Sequence, residues 1–494
     1  MLFGRLIVVC FLLACRPSPA GQASGQILRD LPLNRFAQSR QASSQDEFYF
    51  MPTALGDDYF DGTSSISRLR RHFAAARKAG VKYLRCAFSW NGIEPEPRKF
   101  KWTFWDTLVR MAEQNRIGLI PYVAYTPQWA ARDAKDFWKQ PPRNPQLYAD
   151  FMHRLAERYR GRVSSWEIWN EPDNKDYWLG TADEFAELTR LAARRIREAD
   201  PRAVLVLGGM ANGPSEFFST LITRLHLDRT VDVIAMHAYP QSWLDAPAET
   251  IFQQWVPQMR RLIAEDHSGD DLWVNEMGYP DYRYRTNQAS VYGTNVYYRY
   301  EHTRSYQAVM LFKMEVMALA TQEVSLSGWY RIDDFPLTEE RLGPDLVNYH
   351  LGVEDWQGRA KPALSALALF NRLFGVSMRV VDEKIVRPEK SQAIVNIFQT
   401  KRGETIVVGW LRGSLPDEVP VKTGTLQDQR AEIVATALPC SHPRLVAFYD
   451  AEGNRVRRAV RLEHGWLRHI RLRGDSVFIA ELACGAPVRS HRVQ

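Results

Sequence analysis

A (β/α)8 barrel followed by a smaller all-β, sandwich-like domain is the fold this sequence predicts, and three observations predict it. From about residue 49 to residue 375, short apolar runs alternate with amphipathic helical patterns, and eight such runs are found. The runs are nearly continuous in apolar residues, which suits strands buried on both faces of a parallel sheet. After Gly375 the helical periodicity stops, and alternating strand-like segments take over through residues 376–485. A chain of 494 residues is long enough for a large barrel plus an accessory module.

The first expected strand lies in FMPTALG, ending at Gly56. The next ones are VKYLRCAF (Val81 to Phe88), IGLIPYVAY (Ile117 to Tyr125), VSSWEIWN (Val163 to Asn170) and AVLVLGG (Ala203 to Gly209). VDVIAMHAY (Val231 to Tyr239), DLWVNE (Asp271 to Glu276) and VSLSGWY (Val324 to Tyr330) complete the set. Between them, Ile66, Leu69, Phe73 and Ala76 form one helical stripe, and Phe185, Leu188, Ala192 and Ile196 form another. Thr181 with Glu184 three residues on reads as a capping box. Gly358 to Gly375 holds the last helical pattern, after which AIVNIFQTKRGETIVVGWL (Ala393 to Leu411) reads as two strands around a Lys-Arg-Gly turn. Residues 21–48 are polar and weakly patterned, a linker or an edge strand.

Composition bounds the function classes. The chain is 45% hydrophobic and 24% charged, ordinary for a globular protein, and its net charge of +7 is mild for this length. No nucleic-acid partner is expected. The Arg-rich RVRRAVR (Arg455 to Arg461) reads as a solvated strand face or a meeting place for an acidic glycan or a lipid headgroup. The 15 Trp, 20 Tyr and 23 Phe supply core, and in loops they suit flat ligands such as sugar rings. The 11 His and the Cys show no metal-ligand spacing, so neither metal nor cofactor is expected. Phosphate-loop, zinc-helix and nucleophile-elbow motifs are all missing from the sequence. It carries no signal of oligomeric state.

Residues 1–20 read as a signal peptide: Arg5, the apolar run LIVVCFLLA, then a Pro/Ser/Ala/Gly stretch. LLAC (Leu12 to Cys15) also resembles a bacterial lipobox, which would lipidate Cys15 and attach the protein to a membrane. The expected location is outside the cytoplasm: periplasm, outer membrane as a lipoprotein, or medium. In that setting Cys440 and Cys484 either form a disulfide or remain two buried thiols.

In a parallel barrel, chemistry sits at the C-terminal strand ends. Asn170 and Glu171 end the fourth strand and Glu276 ends the seventh, so two carboxylates can meet across the mouth. Hydrolysis of a glycosidic bond needs such a pair, one protonated and one ionised. Glu167, by alternation, points opposite to Trp166 and Ile168 and reads as a structural ion-pair partner.

IWNEP on strand four, with WVNEMGY on strand seven, resembles the clan A retaining glycoside hydrolases. The span from Gly56 to Phe374 and the attached β-domain are most like family 39, with families 5 and 30 as neighbours. The resemblance implies Glu171 as acid/base and Glu276 as nucleophile. It implies further that Asn170 contacts the sugar 2-OH, Arg85 bonds the nucleophile, His237 and Tyr239 sit beside Glu276, and Trp329 floors the subsite. Plainer readings stand beside these: a buried bridge for Arg85, a core histidine for His237, core packing for Trp329. Asn275 departs from the small residue common before the strand-seven Glu. The expected function is retaining hydrolysis of β-linked polysaccharides or oligosaccharides, an exopolysaccharide among them. An exo-acting β-xylosidase or uronidase is the alternative, and a catalytically idle carbohydrate-binding protein is the rival from another class. The long Tyr- and Arg-rich segment Pro280 to His302 reads as a barrel-top binding loop.

Overall fold

The computed structural model describes residues 49–484, apart from 60–61, 241, 244–246, 266–270, 282–302, 337–349, 413–429 and 441. The expected signal peptide with Cys15, the 21–48 linker and most of the Tyr/Arg-rich loop lie outside the described residues.

Eight strands close a barrel in sequence order: β1 (Thr53–Asp57), β2 (Tyr83–Ala87), β3 (Gly118–Val123), β4 (Ser165–Ile168), β5 (Val204–Leu207), β6 (Val233–Ala238), β7 (Asp271–Met277) and β8 (Val324–Tyr330). Every neighbouring pair is parallel, including β1 with β8. Each strand coincides with an apolar run found in the sequence; β2 to β6 are shorter than their runs, β8 matches its run, and β1 and β7 continue one residue past theirs, to Asp57 and Met277.

The helices around the barrel are capped as their sequences dictate. In α1 (Ile66–Ala79) the Ser65 hydroxyl accepts from the Arg68 amide, and Gly80 ends the helix at φ 69°. Leu69, Phe73 and Ala76 are buried as the stripe predicts, but Ile66 is 44% exposed. It opens the first turn, beyond the reach of the core that the later turns cover. In α2 (Ala182–Ala199) the capping box of Thr181 and Glu184 is formed in both directions. Phe185, Leu188, Ala192 and Ile196 are all buried. The helix α3 (Arg304–Ala320) is buried on almost every side, which its apolar composition allows. It carries two buried charged side chains. The Lys313 ammonium donates to the carbonyl of Gly474, and Glu315 accepts from Ser327.

Beyond the last barrel helix, α4 (Pro362–Phe374), the described residues form two antiparallel sheets. Ala393–Thr400 and Glu404–Leu411 are the two strands expected around the Lys-Arg-Gly turn, and Gly403 takes φ 87° there. The sheets face each other across Ile397, Val407, Val434, Ile470 and Leu482. The outer face of the larger sheet joins the barrel core through Phe398, Ile406 and Val408, with the Phe374 and Phe398 rings 5.1 Å apart. Cys440 and Cys484 are joined in a disulfide, and Cys86 is a buried thiol. Arg455, Arg457 and Arg461 are exposed, and Arg458 between them is half-buried. Among the described residues no helix is long and apolar enough to cross a membrane.

Candidate active site

The lumen of the barrel changes character along its axis. Its lower layer is apolar: Ala54, Tyr83, Ile120, Val206, Ala235, Trp273 and Leu326 pack together. A side chain two positions further along a strand returns to the same face. That step carries Tyr83 to Arg85, Ala235 to His237 and Trp273 to Asn275, so a polar layer lies on the apolar one.

Glu167 is the hub of the polar layer. It is fully buried, and its carboxylate accepts from Arg85 Nε and Nη2, each at 2.8 Å. It also accepts from the Gly209 amide at 3.0 Å and from Asn275 Nδ2 at 2.9 Å. A buried carboxylate needs such satisfaction. The ion-pair role expected for Glu167 therefore has Arg85 as its partner, and the unusual Asn275 completes the shell. Arg85 spends its remaining donors upward, Nη2 to Asn170 Oδ1 at 2.7 Å and Nη1 to Glu276.

The chain leaves β4 through two non-glycine residues in the left-handed region, Trp169 (φ 72°) and Glu171 (φ 48°). Backbone bonds hold this turn: the Trp169 amide donates to Val123 and the Glu171 amide to Gly209, and Asp173 accepts from the amides of Ala211 and Asn212. Positive φ of this kind costs about 1–3 kcal/mol per residue and persists only where the surroundings impose it. Its result is to swing Glu171 over the lumen instead of along the strand.

There Glu171 meets His237, whose Nδ1 is hydrogen-bonded to Oε1 at 2.7 Å, while Asn174 Nδ2 donates to Oε2 at 3.1 Å. The same His237 nitrogen is 3.8 Å from Glu276. Glu276 accepts from Tyr239 and Arg85. Oxygens of Glu171 and Glu276 lie within 4.8 Å of each other. Their side chains remain only 12% and 13% exposed. Gly209 makes room for this arrangement, since a Cβ there would fall 2.2 Å from His237 Nε2.

The two carboxyls are pushed apart electrostatically. Burial raises Glu171, and the neighbouring Glu276 adds to the rise, so that it exceeds the usual carboxylate value despite His237. Burial also works against ionisation of Glu276, but His237, Arg85 and Tyr239 prevail and hold it below the usual value. Burial disfavours the imidazolium of His237, yet the two carboxylates carry its pKa upward. One carboxyl is thereby set to hold a proton and the other to stay ionised.

Asn170, 7% exposed, has its amide oriented by Arg85 and by the Tyr125 hydroxyl, 3.2 Å from Nδ2. The structure thus brings Arg85, Asn170, Glu171, His237, Tyr239 and Glu276 to one place. Trp329 is the exception. It is fully buried in the layer between strands and helices, its Nε1 donating to the Leu351 carbonyl at 3.3 Å. Strand parity is the reason: Leu326 faces the lumen, so Gly328 and Tyr330 do too, and Trp329 faces away. Tyr330 stands at the mouth in its place. The sequence reading passed over Tyr330, Tyr125 and Asn174, although the parity of β8 was available to find the first.

Among the described residues, three groups of carboxylates and histidines lie close enough to hold a cation: Asp57, His72 and Asp333; Glu171, His237 and Glu276; and Asp281, Asp334 and His350. Each already has positive charge from the protein. Arg68 and Arg331 serve the first, Arg85 the second and Lys361 the third.

Two carboxyls this close, their pKa values driven in opposite directions, one just past β4 and one on β7 of a closed barrel, mark the barrel glycosidase class. The chain belongs to the glycosyl hydrolases family 39, whose profile matches residues 67–412. A curated β-xylosidase from Caldicellulosiruptor saccharolyticus is 24% identical over 312 residues, which cover 59% of this chain and 60% of the relative's length. Among solved structures, a family 39 glycoside hydrolase from Bacteroides cellulosilyticus WH2 matches with a TM-score of 0.65 at 14% identity, covering 88% of this chain and 81% of the other. A monomeric β-xylosidase from Caulobacter crescentus CB15 matches at 0.60 and 17% identity, covering 88% and 97%. These structural likenesses extend the fold to the accessory sheets.

Proposed function

We propose that the protein hydrolyses β-linked glycosides with retention, through a covalent glycosyl intermediate on Glu276. The observation that carries this reading is the close approach of the two carboxyls, one oxygen of Glu171 lying within 4.8 Å of one oxygen of Glu276. Retaining enzymes place them about 5–5.5 Å apart, whereas inverting enzymes leave about 6.5–9.5 Å for a water between them. In the first step Glu171 gives its proton to the glycosidic oxygen while Glu276 attacks the anomeric carbon. In the second, the Glu171 carboxylate takes a proton from water, which displaces Glu276. Arg85 and Tyr239 keep Glu276 ionised and aimed, and Asn170, fixed by Arg85, presents its amide to the sugar. The family and its β-xylosidase relative support a β-xyloside as first substrate; that the xyloside is borne on an oligosaccharide or polysaccharide, an exopolysaccharide included, is part of the proposal.

The test is early-time proton NMR of 4-nitrophenyl β-xyloside hydrolysis. β-Xylose appearing first supports the reading, and α-xylose appearing first overturns it. The proposal includes export, on the strength of Arg5 and the apolar run that follows it. Mass spectrometry of the mature protein should find an N-terminus at lipidated Cys15 or near Gly21, and an intact Met1 chain in the cytoplasm would contradict it.

A further inference from the structure

The residue after β1 takes no part in the chemistry above. Ala54 lies in the apolar lumen layer, and Gly56 lies against the Tyr330 ring, so parity carries Asp58 to the mouth on the same face. Its neighbour Asp57 faces the other way, into the buried network of Arg68, His72 and Arg331. Asp58 accepts one hydrogen bond on each oxygen, from Tyr122 on Oδ1 and from Tyr330 on Oδ2. Both tyrosines are buried, while Asp58 is only partly so. The Arg85 guanidinium, which binds Glu276, lies 4.4 Å from the centre of the Tyr122 ring. Asp58 therefore borders the reacting carboxyls as the open edge of a tyrosine-lined wall.

An ionised carboxylate offers about four acceptor positions. Two are taken by the tyrosines, which leaves one on each oxygen for donors arriving from the mouth. The cations beside this wall are already engaged. Arg85 is bound to Glu167, Asn170 and Glu276, and the fully buried Arg331 to Asp57 and the Asp333 carbonyl. Among the described residues around this wall, the sugar is met by acidic groups and bound cations.

We propose that Asp58 is a specificity-determining residue of the sugar subsite, accepting hydroxyl groups of a neutral glycone and repelling uronic acids. This deepens the glycosidase reading and rests on it. It separates the two exo-acting alternatives, a xylosidase and a uronidase, in favour of the neutral sugar.

The test compares kcat/KM for 4-nitrophenyl β-xyloside and β-glucuronide in the wild type, Asp58→Asn and Asp58→Ser. Hydrogen bonds to a charged acceptor support a loss of about 10- to 100-fold on the xyloside in the Asn variant. The xyloside-to-glucuronide ratio should fall by a similar factor, an effect that general loosening of the fold would not produce. A wild type that prefers the glucuronide overturns the proposal, as do variants that lose both activities in parallel. Should neither glycoside be hydrolysed, the glycosidase reading fails, and calorimetric titration with xylose and glucuronate decides on Asp58. Tighter binding of xylose that the Asn variant loses retains the subsite, and equal binding or none removes it.

Discussion

Two layers of the same barrel lumen, one step of the strand repeat apart, do opposite work. The lower layer of Ala54, Tyr83, Ile120, Val206, Ala235, Trp273 and Leu326 is an apolar plug. The upper one, of Arg85, Glu167, His237 and Asn275, is held by charge-assisted hydrogen bonds. The plug stabilises the fold by removing apolar surface from water. The polar layer contributes little net stability for its charge, because desolvation offsets most of the Coulombic gain. What it provides is orientation: Arg85, anchored on Glu167, donates its remaining hydrogen bonds to Asn170 and Glu276. Stability and reactivity are separated along the strands.

Substitutions can break that separation. The largest effect is expected from Glu167→Gln, which leaves Arg85 buried without its main counter-charge. Losing one partner of a buried pair costs about 3–5 kcal/mol. Urea unfolding should show a loss of that order, and turnover should collapse with it because Arg85 no longer aims Glu276. In the plug, Ile120→Ala should cost about 2–5 kcal/mol by the same measurement. Its folded fraction should keep the wild-type pH profile, since no charge has moved. If Ile120→Ala shifts the pH limbs as much as Glu167→Gln does, the two layers are not separate.

The smallest expected effect sharpens the electrostatics of the upper layer. Activity requires Glu276 ionised and Glu171 protonated. The rate should therefore fall on the acid side at a pH below the usual carboxylate value, and on the alkaline side above it. His237 touches both groups, so each limb belongs to the three residues together. Asn174→Ala removes a donor that favours ionised Glu171. The alkaline limb of kcat/KM should move upward while the acid limb stays in place, and a downward shift would contradict the assignment of that limb.

Much of this was legible in the sequence because the barrel repeats a simple rule. Buried parallel strands are apolar runs, and strand ends carry the polar exceptions, so Asn170, Glu171 and Glu276 stood out. Glu167 was placed by alternation alone. The same alternation, applied to β8, puts Tyr330 and not Trp329 at the mouth; the resemblance to a tryptophan-bearing family outweighed it. Asp58 was hidden for a different reason. Its neighbour Asp57 is equally acidic, and only the closed barrel shows which of them faces the site and which tyrosines it meets. Ile66 fitted a helical stripe in pattern, but a stripe does not reveal where the core ends. The disulfide between Cys440 and Cys484 depended on the pairing of the strands Pro443–Tyr449 and Phe478–Cys484, which sets Pro443 opposite Cys484 and which spacing alone left open.

The central claim is that Glu276 bonds to the sugar while Glu171 manages the proton. Incubation with an activated 2-deoxy-2-fluoro-β-xyloside, followed by intact-mass and peptide mapping, tests it most directly, because fluorine at C2 slows release of a glycosyl intermediate. A single added fluorosugar on the peptide containing Glu276, lost again when an acceptor alcohol is supplied, is the predicted result. Turnover of the reagent with no adduct, or an adduct on Glu171 instead, would contradict the account.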